Sequence, residues 1–119
     1  MLAKSTLIQN SRFKIGWILL LTIDGLMTLN HFSLIFILNE PNLFIGFTLF
    51  NLYALLVLLI PFRRGETWAW FATWLLPIGL ALPTSTDPDI AIYYFGSVAV
   101  CGLGLLLARQ GFFSNRMAA

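Results

Sequence analysis

The chain has 119 residues, of which 59% are hydrophobic and only 10% charged, and its mean hydropathy is +0.86. A soluble globule of this length needs far more polar surface, so the composition excludes one and indicates a polytopic membrane protein. The formal net charge of +2 is accounted for by juxtamembrane anchors and requires no nucleic acid partner.

Four apolar runs read as membrane-crossing helices, over 15–38, 43–62, 67–82 and 90–108. They occupy a single domain, 1–119, with no room for a second. Hydrocarbon leaves backbone polar groups only helices or closed barrels, and these runs are too long and too continuously apolar for barrel strands. The predicted fold class is all-α: an antiparallel bundle of four transmembrane helices. The first run exceeds a signal-peptide core and lacks a small-x-small cleavage site, so it is expected to be retained. At ~1.5 Å per residue the first, second and fourth runs reach roughly 28 to 36 Å and the third only ~24 Å, short of a ~30 Å core.

Pro41 suits the first turn of the second span, and Gly65 divides the second span from the third. Within the third span Pro77 cannot bond the Thr73 carbonyl, so a kink is expected there. The segment 83–89 reads as a loop that closes on Asp87 and Pro88, an N-cap and N1 pair for the fourth span. Trp17 and Trp68, with Arg63 and Arg64, are placed as anchors at one interface, and Tyr93 and Tyr94 as an aromatic belt at the other. Glu66 beside the two arginines reads as a solvated ion pair.

All seven basic residues fall on one side of this layout. Lys4, Arg12 and Lys14 precede the first span, Arg63 and Arg64 join the second to the third, and Arg109 and Arg116 follow the fourth. The other two connections carry Glu40, Asp87 and Asp89. Lys and Arg are retained in the cytoplasm, so both termini are predicted to be cytoplasmic.

Asp24 is the one carboxylate predicted within the hydrocarbon. With Thr28 and His31 it forms a polar stripe on one face of the first span, at helical spacings of four and three. Asn51 and Tyr53 of the second span lie at a similar depth and are candidate partners for Asp24. One reading is a proton-responsive or ligand-binding site, which intramembrane ionisable groups often mark. The other is structural: Asp24 held by Asn51 or Tyr53 fixes how the helices pair, and His31 is satisfied by a hydroxyl. A third reading makes His31 an axial pigment ligand, although a bis-His haem would need a second histidine, which the chain lacks. No metal-ligand cluster or phosphate-binding glycine motif is present, and no histidine shares a helix face with Ser97 or Cys101 to activate them. Neither enzyme activity nor a cofactor is expected, and the lone Cys101 excludes an intrachain disulfide.

Ser97, Cys101, Gly104 and Ala108 form a stripe of small side chains along the fourth span. Such a stripe admits another helix at close range, from the same chain, from a second copy or from another membrane protein.

The segment Arg63-Arg64-Gly65-Glu66-Thr67-Trp68-Ala69-Trp70 resembles an R-x-G-E-x-W-A-W stretch that opens the third span of small bacterial four-span membrane proteins of unknown function. That resemblance implies the bacterial inner membrane and assigns no activity. Small multidrug transporters share the length, the four spans and a carboxylate in the first helix. They differ in that the acid here is aspartate, and the one-sided charge argues against dual-topology insertion. The expected function is a binding, accessory or assembly subunit within the lipid bilayer. The alternative is a proton-coupled small-molecule transporter that uses Asp24.

Overall fold

The computed structural model describes residues 11–117; Lys4 lies outside them, as does the side chain of Arg116. Nearly every described residue is helical: α1 spans Ser11–Ile37, α2 spans Pro41–Val57 and runs on into a π-helical turn at Leu58–Phe62, α3 spans Thr67–Thr73, α4 spans Leu75–Thr86 and α5 spans Pro88–Met117. Three helical stretches, Ser11–Ile37, Pro41–Phe62 and Ala91–Phe113, are each long and apolar enough to cross a membrane. The molecule is elongated, 53 × 23 × 19 Å. Its sides are covered by large apolar side chains such as Leu29, Phe36, Leu56, Phe71 and Ile92, all exposed. Helices apolar on every face have no water-facing stripe, as expected of segments solvated by lipid.

The third helical segment is interrupted. Pro77 offers no N–H to the Thr73 carbonyl, and the ladder breaks at Trp74, whose N–H turns back to the Phe71 carbonyl at 3.2 Å before Ile78 N–H resumes the bond to Trp74 at 3.2 Å. Neither α3 nor α4 alone has the length of the other three helical stretches. Gly65, at φ 74°, makes the turn that precedes α3, a left-handed conformation in which glycine carries no Cβ penalty. Its N–H reaches the Phe62 carbonyl at 3.0 Å while Glu66 N–H reaches that of Pro61 at 3.0 Å.

The predicted 83–89 loop is mostly helix. Ser85 and Thr86 hydroxyls donate to the Leu82 and Pro83 carbonyls at 2.7 and 2.9 Å, so polar residues that suggest a loop instead satisfy the end of their own helix. Asp87 alone separates α4 from α5. Its Oδ1 accepts the Asp89 N–H at 3.0 Å, which caps α5 as the Asp87-Pro88 pair predicts. Helix α1 begins at Ser11, before its apolar run, and α5 ends at Met117, beyond its own, because the helical backbone continues past the hydrophobic residues.

Helix α5 lies against α1 and α4, and α1 also lies against α2. Long-range contacts fix α1 and α5 as antiparallel, since Gly16 of α1 meets Gly104 of α5 while His31, later in α1, meets Tyr94, earlier in α5. A Cβ on Gly16 would collide with the Gly104 carbonyl and stand 2.9 Å from Ala108 N. Cys101, Gly104 and Ala108 are buried and Ser97 half-buried, so the small-residue stripe is taken up by α1 of the same chain. This close backbone approach is what small residues at a helix crossing permit.

One end is basic and aromatic. Phe13, Phe62 and Phe112 gather with centroids 4.8 to 5.8 Å apart, and Arg63 lies 5.7 Å over the Trp17 ring. Trp17 and Trp70 donate their indole N–H to the Leu58 and Leu105 carbonyls at 2.8 and 2.9 Å, an additional pairing that ties neighbouring helices. Trp68 is exposed and donates to Glu66 at 2.7 Å, with Arg64 4.0 Å from the same carboxylate. The opposite end carries Glu40, Asp87 and Asp89 at the helix junctions.

Candidate functional site

Between these ends, three helices join polar side chains into a continuous chain. Helix α1 supplies Asp24 and His31, two turns or ~10 Å apart along its axis; α2 supplies Asn51 and α5 supplies Tyr94. Asn51 Nδ2 donates to Asp24 Oδ1 at 2.8 Å, which turns Asn51 Oδ1 toward His31, 2.6 Å from its Nδ1. Nδ1 therefore bears the ring proton, and Nε2 accepts from the Tyr94 hydroxyl at 3.1 Å. Asp24 and Asn51 are fully buried and His31 is 4% exposed. Asp24 Oδ2 is buried with no hydrogen-bond partner among the described residues, an uncommon state for a carboxyl oxygen removed from water.

The surroundings of His31 are aromatic. Phe47 and Phe44 lie 5.2 and 6.4 Å from its ring, and Tyr94 stacks at 6.1 Å. The Asn30 side chain also hydrogen-bonds the Tyr94 hydroxyl. His31, Asn51, Asn30 and Tyr94 form the polar wall of a cavity of about 880 Å³. Leu26 and Leu34 of α1, Phe47 and Phe50 of α2, and Leu80 of α4 supply much of its apolar wall. Its rim includes Glu40, Thr86 and Asp87, so it reaches the acidic end. Gly79 keeps the α4 wall thin, since a Cβ there would come 3.1 Å from the Phe50 ring.

Of the residues singled out in the sequence, Asn51 meets both Asp24 and His31 directly. Thr28 does not reach the Asp24 carboxyl; its hydroxyl donates to the Asp24 main-chain carbonyl at 2.7 Å, the usual fate of a helical threonine. Tyr53 points away: it is 66% exposed on the outer face of α2, two residues from Asn51 and therefore on a different side of the helix. Depth matching alone had put it level with Asp24, but the helix rotation gives that place to Asn51. Tyr94, which the sequence places in the outer aromatic belt and at the depth of His31, completes the chain, whereas the adjacent Tyr93 is exposed. The spacing of Leu26, Asn30 and Leu34 at four-residue steps was a legible sign of a second face on α1, one polar group within an aliphatic stripe.

Both ring nitrogens of His31 are engaged, so neither is free to ligate a pigment without breaking this chain. Among the described residues no group of three or more His, Cys, Asp or Glu side chains could hold a metal ion. Comparison with protein families, with curated proteins and with solved structures found no match.

Proposed function

We propose that this chain is a four-helix integral protein of the bacterial inner membrane, with both termini cytoplasmic, that binds a small and largely apolar molecule within the bilayer. It acts as a binding or accessory subunit and carries out no catalysis. The cavity of about 880 Å³, floored by His31, Asn51 and Tyr94, carries this reading. An apolar pocket with a few convergent polar groups is the usual form of a small-molecule site. The fourth crossing is formed by α3 and α4 together, because the extension to Thr86 lengthens the third segment to ~30 Å despite its break. The clustering of basic residues at one end supports the cytoplasmic assignment of that end.

The test is native mass spectrometry of the full chain purified from bacterial membranes in mild detergent, beside a Leu34→Trp variant that fills the cavity. A discrete adduct on the wild type that the variant loses is the expected result. Equal occupancy of both, or bulk phospholipid alone, would overturn the binding reading.

One observation favours a second reading, proton-coupled transport. Asn51 joins the buried Asp24 to the cavity-lining His31 through contacts of 2.8 and 2.6 Å; the amide relays no proton itself, but a change of charge on Asp24 alters the hydrogen bond that orients Asn51 and, through it, the wall a solute meets. On this reading Asp24→Asn removes a proton-dependent flux in vesicles at normal abundance and leaves binding intact.

A further inference from the structure

Every hydrogen bond in the buried polar chain runs in one direction. The Tyr94 hydroxyl has a single proton, which goes to His31 Nε2, so the bond between Asn30 and Tyr94 is donated by the Asn30 amide nitrogen. Donation then passes from Asn30 through Tyr94, His31 and Asn51 and ends on Asp24 Oδ1. Bonds aligned head to tail polarise one another. At the donating end, an amide whose N–H is engaged becomes a better acceptor at its oxygen. Asn30 Oδ1 takes no hydrogen bond within the chain, and Asn30 is exposed where it lines the cavity.

The rest of the polar lining is committed or remote. His31, Asn51 and Tyr94 hold one another, Glu40, Thr86 and Asp87 stand at the rim, and Tyr93 is exposed. Asn30 lies about 10 Å along α1 from the end of that helix at Ile37, with Leu26 and Leu34 on the same wall. A ligand head brought there leaves water. No Lys or Arg lines the cavity, so an anionic head finds no counter-charge, and a cationic head exchanges its hydration for a neutral amide; both cost far more than an uncharged head. An uncharged head that can only accept, such as an ether, leaves Asn30 Oδ1 unpaired in an apolar site.

We infer that the cavity selects a membrane-soluble alcohol, an uncharged lipid whose hydroxyl donates to Asn30 Oδ1 while its apolar tail lies against Leu26, Leu34, Phe47 and Leu80. This rests on the binding reading above and adds to it the head group of the ligand and the residue that recognises it.

Scintillation proximity binding to the full chain in mild detergent tests the inference with three probes on one carbon skeleton: farnesol, farnesyl methyl ether, which accepts but does not donate, and farnesene, which has no polar head. Saturable binding of radiolabelled farnesol is expected, with the ether and the hydrocarbon competing about tenfold more weakly, as the loss of one hydrogen bond in a dry site implies. Asn30→Leu keeps the volume and removes the acceptor, so farnesol should fall to the level of the ether. Undiminished competition by the ether and farnesene in that variant shows that its cavity is intact. Equal binding of farnesol and its ether to the wild type overturns selection for a donor while leaving the binding reading in place. A preference for farnesol that persists in Asn30→Leu overturns the assignment to Asn30, and farnesol binding that survives Leu34→Trp overturns the placement in this cavity. Saturable binding of none of the three overturns the inference, and the adduct measurement above then decides the binding reading by itself.

Discussion

His31 Nδ1 stands 2.6 Å from Asn51 Oδ1, and because the Asn51 amide is turned by its bond to Asp24, this contact sets the tautomer of the ring. A single asparagine thereby serves two titratable side chains of α1, Asp24 and His31, at once. Its Nδ2 satisfies the carboxyl, and its Oδ1 accepts the imidazole proton.

Asn51→Leu removes both contacts while keeping the volume, so it leaves a buried imidazole N–H and both Asp24 oxygens unpaired. The expected loss of stability is about 2 to 4 kcal/mol, more than one exchanged hydrogen bond. Reversible unfolding in mixed micelles with increasing SDS measures it, and a shift under ~0.5 kcal/mol would mean the chain is not closed in the folded protein.

Tyr94→Phe and Tyr53→Phe should behave differently although both delete one hydroxyl. The first takes away the donor to His31 Nε2; the second alters an exposed side chain. In 15N spectra of selectively labelled histidine, the wild type should show a protonated Nδ1 and a bare Nε2. The Nε2 resonance should move in Tyr94→Phe and stay in place in Tyr53→Phe. Movement with Tyr53→Phe would place that tyrosine back in the site.

Glycines in this chain divide by what surrounds them. Gly16→Leu drives a side chain into the Gly104 carbonyl and Ala108 of α5, and should lower stability by about 3 kcal/mol or more as the α1–α5 crossing opens. Gly96, with no atom within 4 Å of an added Cβ, should accept alanine with a gain of roughly 0.5 to 1 kcal/mol from helix propensity. Thermal unfolding in one detergent ranks the two, and a tolerated Gly16→Leu would mean that the helices do not cross here.

Topology is checked with reporters. An enzyme active only in the cytoplasm, fused after Ala119, should be active, and a cysteine placed at Glu40 in a Cys101→Ala background should react with an impermeant maleimide from the periplasm. Periplasmic exposure of the C-terminus would reverse the orientation and put the acidic mouth on the cytoplasmic side.

Composition and the long apolar runs were enough to establish an all-helical chain with segments able to cross a membrane, because lipid leaves the backbone few alternatives. Proline and capping chemistry located the start of α2, the start of α5 and the interruption of the third segment, since those effects act within one turn of the residue that causes them. The polar stripe of α1 was legible for the same local reason. Its partners were not: Asn51 and Tyr53 lie at similar depth, and only the rotation of α2 about its axis turns one inward and the other out. The stripe of Cys101, Gly104 and Ala108 likewise admits a helix from any chain, and tertiary contact assigns it to α1. The cavity exists in no single helix, because α1, α2, α4 and α5 each contribute a wall, and its volume follows from their separation, which no local rule determines.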